Sequence, residues 1–253
     1  MSNVLIKSNP GFQKEVPEGT RVLYVAEMFS DTIQGEGINI GCPATFLRVM
    51  NCTLNCSWCD SESVWKFGNP YTVEEILEMW EKADLVRKFK EGQHLVLTGG
   101  SPMKQQIELT LLIQAFIEKH GFKPYIEIEN ESVLPAFSDF AKLIDCWNNS
   151  PKLETSGNTK RAQYKPKVLK SLSEYENSWF KFVITEEEDW EEIKRDFLDP
   201  GLIRKDQIIL MPEGATRAGL SLTRGMVVEL CVREGVRFSD REHIVIWDKK
   251  TGV

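Results

Sequence analysis

Three cysteines, Cys52, Cys56 and Cys59, fall within eight residues in the segment MNCTLNCSWCD, spaced C-x3-C-x2-C. This cluster constrains the fold more than any other feature, because three thiols on one short loop must be gathered round a common centre. The loop follows a strand-like run, ATFLRVM, and the next histidine along the chain is His94. A structural zinc site closes with four Cys or His ligands, so a local zinc knuckle is incomplete here. Three cysteines suit an iron–sulfur cluster, and in a cubane cluster they leave one iron open to another ligand. Zinc is the alternative.

At 253 residues the chain has the length of one large domain. The expected organisation is a polar tail over residues 1–20 and a single domain over 21–253. An apolar content of 42% and a charged content of 27% are those of an ordinary globular protein. No apolar run approaches a membrane span, and the opening MSNVLIKSNPGFQKE lacks a secretory h-region, so the expected location is the cytoplasm. Six cysteines, three of them clustered, fit a metal site in a reducing compartment and not a disulfide framework. The net charge of −7, with basic residues dispersed, argues against nucleic-acid binding. A small anionic substrate held by one or two arginines stays open.

RVLYVAEMF and ATFLRVM read as strands around a glycine-rich turn, IQGEGINIG. A helix is expected from Thr72, which forms a capping box with Glu75, through EEILEMWEKADLVRKF. HLVLTGG is a short strand ending in glycines; the helix beyond Pro102 stops at Gly121. YIEIEN, LIDCW, WFKFVI, QIILMP and HIVIW are further expected strands, with a second capping box at Thr185 and Glu188 and a helix around TRGMVVELCVREG. Alternating strands and helices imply an α/β fold with a mostly parallel sheet. Polar clusters at the strand ends, TGG, EIEN, NNSP and MPEG, mark where such folds build sites. The segments after EIEN and LIDCW are weakly helical, so the expected architecture is a partial (incomplete) parallel β/α barrel.

Five segments read together carry a family resemblance: TIQGEG (Thr32 to Gly37), FLR (Phe46 to Arg48), the cysteine motif with CDS (Cys59 to Ser61), LMPEG (Leu210 to Gly214) and HIVIWDKKTGV. The cysteine motif resembles that of the radical S-adenosylmethionine (SAM) superfamily. Within it, the QGEG, CDS and C-terminal segments are similar to the 7-carboxy-7-deazaguanine synthase family, over roughly residues 21–253.

The resemblance implies a barrel of the radical SAM type, with a [4Fe–4S] cluster on Cys52, Cys56 and Cys59 and SAM chelating the open iron. Reduction then cleaves SAM to a 5′-deoxyadenosyl radical, the cofactor carrying the hard step. The implied substrate is 6-carboxy-5,6,7,8-tetrahydropterin, which loses hydrogen from C6, contracts its ring and releases ammonia while SAM is re-formed. Gln34 and Glu36 match positions that read the pterin edge, where an amide and a carboxylate complement amino and ring N–H groups. Arg48 and His243 match positions at the substrate carboxylate. Val253 matches an ending whose own carboxylate folds over the pocket. Singly, QGEG reads as a tight turn, Arg48 as a surface charge and His243 as a core histidine.

Ser61 matches a hydroxyl that ligates Mg²⁺, with Asp60 orienting that shell; capping a turn is the other reading of this pair. Gly99, Gly100 and Ser101 correspond to the SAM motif, where missing side chains admit the methionine moiety. Many relatives carry Glu in place of Ser101, so contact to the SAM amino group falls here to backbone or water. Glu129 matches a carboxylate for the SAM ribose, with Glu127 the alternative register. Ser150 and Lys152 match a strand end at the SAM carboxylate, and Met211, Pro212 and Glu213 a loop over the adenine. Trp58 shields the cluster or simply packs; Cys42, Cys146 and Cys231 read as packing residues. A homodimer and an electron donor such as flavodoxin complete what the family implies. Two rivals stand beside this reading: an activase that places a glycyl radical on a protein partner, and a non-catalytic Fe–S or zinc-binding homologue.

Overall fold

Short strands buried on both faces set the architecture, with continuous apolar runs in HLVLTG and IILMP and alternating isoleucine and glutamate in IEIEN. The computed structural model describes residues 3–11 and 14–253. Their strands are β1 (Asn3–Lys7), β2 (Leu23–Ile33), β3 (Pro43–Val49), β4 (Asn69–Tyr71), β5 (His94–Gly99), β6 (Ile126–Asn130), β7 (Cys146–Asn149), β8 (Ser178–Ile184), β9 (Ile208–Pro212) and β10 (Arg237–Phe238). They form one sheet in the order β1-β2-β3-β5-β6-β7-β8-β9-β10, with β4 beside β2. Pairing is parallel from β3 to β10 and antiparallel where β1, β3 and β4 meet β2. The sheet does not close on itself, so this is an incomplete parallel barrel.

The helices are α1 (Glu62–Trp65), α2 (Val73–Lys82), α3 (Leu85–Lys90), α4 (Gln106–His120), α5 (Ser138–Ala141), α6 (Lys160–Gln163), α7 (Pro166–Ser173), α8 (Asp189–Ile193), α9 (Arg217–Glu234) and α10 (Glu242–Trp247). The main core lies between sheet and helices and takes one parity of the strands, Leu47, Leu95, Leu97, Ile126, Ile128, Phe180 and Phe182 among them. The other parity faces the barrel interior. Phe29, Ala44, Phe46 and Val96 form a small apolar floor there, with Phe29 and Phe46 stacked at 5.0 Å. Toward the strand ends the same parity turns polar, and Glu27, Arg48, Thr98, Glu129 and Lys181 line a cavity.

Four expectations change. Asn3–Lys7, expected as tail, instead extend the sheet beside β2, because Ile6 finds a place in the main core. The helix expected from Thr72 begins with the capping box, Glu75 N donating to Thr72 Oγ1 at 3.3 Å and Thr72 N to Glu75 Oε2 at 2.9 Å. It then breaks at Asp84, which adopts φ +59°. The corner lets Phe89 of α3 meet Trp80 of α2 edge-on at 5.5 Å.

The second capping box does not form. Asp189 takes the part expected of Glu188, its Oδ2 accepting from Thr185 N at 2.7 Å and Thr185 Oγ1 at 2.9 Å. HIVIW is a helix and not a final strand. Its β-branched residues favour extended structure locally, but β10 ends at Phe238 and Arg241 pulls the chain off the sheet edge across the strand ends. Among the described residues, no helix is long and apolar enough to cross a membrane.

Trp80 is fully buried, packs edge-on against Phe89 and Phe116, and donates Nε1–H to Met28 Sδ at 3.1 Å. Trp80→Ala should therefore cost about 3–5 kcal/mol. Urea unfolding measures it; a midpoint unchanged from the parent would contradict this account of the core.

Candidate active site

The cysteine loop sits on the glycine pair that ends β5. A Cβ on Gly100 would lie 2.1 Å from Asn51 O, and one on Gly99 would lie 2.4 Å from Val49 O. Only glycine permits that approach of two backbones. The contact is fixed by hydrogen bonds from Gly100 N to Val49 O at 3.2 Å and from Ser101 N to Asn51 O at 2.6 Å. The glycines thus seat the loop as well as line the cavity.

Each cysteine sulfur receives one N–H. Leu54 N donates to Cys52 Sγ at 3.5 Å, Asn158 Nδ2 to Cys56 Sγ at 3.2 Å and Trp65 Nε1 to Cys59 Sγ at 3.5 Å. Such donors stabilise charge on ligating sulfur and tune a cluster's potential. Burial pushes the Cys52 thiol up to about 11 and the Cys56 thiol upward, against partial relief from Lys152. A bound metal group supplies the positive charge that turns such thiols into thiolates. The three thiols, their donors and the open cavity beside them fit an iron–sulfur cluster with one exposed corner.

The opposite wall is an ionic network. Glu36 meets the Lys181 ammonium through Oε2 and accepts from Arg241 Nε at 2.9 Å through Oε1. Arg241 also donates to Gly214 O at 2.7 Å and pairs with Asp60 beside the last cysteine. Burial alone would raise the Glu36 carboxyl, but Lys181 and Arg241 outweigh it and hold the group well below its ordinary range. Lys181 stays protonated because Glu36 and Glu129 overcome its burial. His243 lies 3.9 Å from Glu36 Oε1. Burial pushes its imidazole below the ordinary value despite Glu36, so it is neutral at pH 7. Its ring rests on Gly35, where a Cβ would sit 2.2 Å from Nδ1. That contact explains one glycine of QGEG.

A cavity of about 630 Å³ joins the two walls. It is lined by Cys52, Cys56, Cys59, Ser61, Gly99, Gly100, Glu129, Ser150, Lys152 and Met211 on the cofactor side of the sequence reading, and by Gln34, Glu36, Arg48, His243 and Val253 on the substrate side. Pro212 and Glu213 stand off the wall, where Ala215 and Thr216 appear instead. Ser101 is buried behind it and donates to Glu131 Oε1 at 2.9 Å. Gln34 is already committed, its Nε2 donating to Glu127 at 2.6 Å and to Glu129 at 3.2 Å. Arg48 lies 3.5 Å from Glu27 Oε2 and keeps a buried Nε–H without a hydrogen bond. The Ser61 hydroxyl makes no capping bond to α1, which leaves it 3.9 Å from Cys59 Sγ on the wall. Lys152 lies over the Trp58 ring at 5.4 Å, and Trp58 lines the same cavity as the cysteines.

Several residues of the site escape a reading by motif. Lys181 had a visible signal, a lone charge inside the apolar strand WFKFVI. Arg241, Trp65 and Asn158 had none, because their roles arise from contacts between segments far apart in the chain.

Glu36→Gln leaves two buried cations undercompensated and should cost on the order of 3 kcal/mol at pH 7. The folded-state carboxyl is depressed, so its contribution is full above the ordinary value of 4.5 and is lost as pH falls below it. Urea titrations across that range should show parent and variant converging in acid; a constant gap would contradict the assignment.

Comparison with known proteins agrees with this geometry. A family profile described as a 4Fe-4S single cluster domain matches residues 33–133, which include all three cysteines of the loop. The 7-carboxy-7-deazaguanine synthase of Pyrobaculum aerophilum is 32% identical over 232 residues, covering 90% of this chain and 96% of its own length. That of Halobacterium salinarum is 29% identical over 251 residues, covering 89% and 91%. Among solved structures, QueE from Escherichia coli superposes with a TM-score of 0.61 at 23% identity, over 88% of this chain and 95% of that one, and shares the fold. With a relative this similar along nearly its whole length and a cysteine loop built to hold a cluster, the chain belongs to the 7-carboxy-7-deazaguanine synthase family.

Proposed function

We propose that the protein is a radical SAM carbon–nitrogen lyase that converts 6-carboxy-5,6,7,8-tetrahydropterin to 7-carboxy-7-deazaguanine and ammonia. The observation that carries this reading is one cavity with a three-cysteine wall facing the QGEG turn, Arg48 and His243. When bound, the [4Fe–4S] cluster and SAM supply one-electron chemistry and a radical that abstracts hydrogen.

The chain's own residues bind and orient. Cys52, Cys56 and Cys59 hold the cluster, with Leu54 N–H, Asn158 and Trp65 stabilising charge on the sulfurs. Glu129, Ser150, Lys152 and Met211 face the SAM side. Glu36, kept ionised by two cations, accepts from the amino and ring N–H groups of the pterin, and Gln34 fixes the turn that presents it. Arg48, whose buried Nε–H makes no hydrogen bond, meets the substrate carboxylate beside neutral His243, and the Val253 end covers the pocket. Ser61 and substrate oxygens hold Mg²⁺, which keeps its remaining shell as water. Family membership supports a homodimer supplied with electrons by a flavodoxin-type donor in the cytoplasm.

Substrate and product differ by one ammonia, so the conversion is redox-neutral and the hydrogen removed must be returned. SAM should therefore act catalytically. Anaerobic incubation of the reconstituted protein with SAM, reductant, Mg²⁺ and the pterin, followed by mass spectrometry, should yield the ring-contracted acid without stoichiometric 5′-deoxyadenosine. Deoxyadenosine alone would redirect the radical to another substrate or a protein partner; neither product from an intact cluster would make this a binding protein. Arg48→Ala should weaken pterin binding by about 2–5 kcal/mol with SAM affinity retained, as calorimetry would show. Equal loss of both ligands in a folded protein would refute that role.

A further inference from the structure

Among the described residues, a buried carboxylate in the cavity wall, Glu131, has no ion-pair partner. Glu131, 4% exposed, follows the last residue of β6. The chain turns there because Ser132, at φ +63°, donates its N–H back to Asn130 Oδ1 at 2.8 Å. Glu131 Oε1 accepts from Thr53 Oγ1 at 2.6 Å, on the cysteine loop, and from Ser101 Oγ at 2.9 Å, just past the glycine pair. Its Oε2 is buried and accepts from nothing. Two neutral hydroxyls orient this carboxylate without neutralising it, and an unpaired buried charge is costly. A ligand cation would complete it.

A second group nearby has the opposite need. Lys152 Nζ donates to Ser150 Oγ at 2.7 Å, and among the described residues neither Lys152 nor Glu131 has an ion-pair partner. Both line the same cavity, and both act on the charges of Cys52 and Cys56. A fixed carboxylate oxygen and an ammonium beside one metal site are complementary to a zwitterionic α-amino-acid head, whose ammonium and carboxylate must both be satisfied.

We infer that Glu131, oriented by Thr53 and Ser101, binds the α-ammonium group of SAM, with Lys152 taking its carboxylate. The inference rests on the radical SAM reading above. It gives Ser101 a positioning role, and it places the amino-group contact at the end of β6 and not on the segment after β5.

Calorimetry on the anaerobically reconstituted protein tests it with two probes. SAM carries the amino-acid head; 5′-methylthioadenosine carries the adenosine and sulfur without it. Glu131→Gln should weaken SAM at least tenfold and leave 5′-methylthioadenosine unchanged, with iron content like the parent and thermal melting no lower. SAM binding as tight as the parent's would overturn the inference, as would equal weakening of both probes. Should that variant lose its cluster, Thr53→Val, which removes one hydroxyl and keeps the charge, should weaken SAM several-fold; parental affinity there would also overturn it. Failure of the parent itself to bind SAM would instead sink the radical SAM reading, and this inference with it.

Discussion

The site depends on one backbone contact, the seating of residues 49–52 on residues 99–101. Two parallel neighbours, β3 and β5, end together, and their continuations would diverge if side chains stood between them. Gly99 and Gly100 remove that obstacle, and Ser101 N–H then clips Asn51 O. The cysteine loop is thereby held at the strand ends, where a parallel barrel presents its functional groups. From the same clip, Ser101 and Thr53 reach Glu131. A glycine pair that in sequence resembles only space for a ligand is in structure also a joint between two walls.

Charge is partitioned across the cavity. Near the cysteines, Glu131 and Lys152 have no ion-pair partner among the described residues, whereas the far wall is a paired network of Glu36, Lys181, Arg241 and Asp60. The paired network is rigid in its protonation: cations hold Glu36 ionised, and burial holds His243 neutral. Arg241 links the QGEG turn, the loop after β9 and the residue beside the last cysteine. The C-terminal helix α10 is held over the strand ends by Arg241, by Arg217, whose Nε donates to Val245 O at 2.8 Å, and by Glu242 N, which donates to Gly35 O at 2.8 Å. Binding groups that are fixed in advance lose little order when a ligand arrives.

Much of this was legible in the sequence, because the signals were local. The cysteine spacing, the strand-end glycines and the alternation in YIEIEN depend on neighbours along the chain, and they led to the parallel α/β fold and the cysteine wall, whereas Gln34, Glu36, Arg48, Ser61, His243 and Val253 came from the family resemblance. HIVIW misled because a β-branched run is a weak preference that tertiary contacts override, here those of Arg241 and Arg217. The helix break at Asp84 was hidden because no glycine or proline marks it; its left-handed turn follows from packing Trp80 against Phe89. Arg241, Asn158 and Trp65 were invisible for a related reason. Each meets its partner only after segments distant in sequence have been assembled.

The central claim is a cluster held by three cysteines whose remaining iron receives SAM. Mössbauer spectroscopy of the protein reconstituted with enriched iron, recorded with and without SAM, tests it most directly. The account predicts that one iron of the four changes its parameters on adding SAM while the other three do not. Four irons indifferent to SAM, or a protein that takes up zinc in place of a cluster, would contradict it.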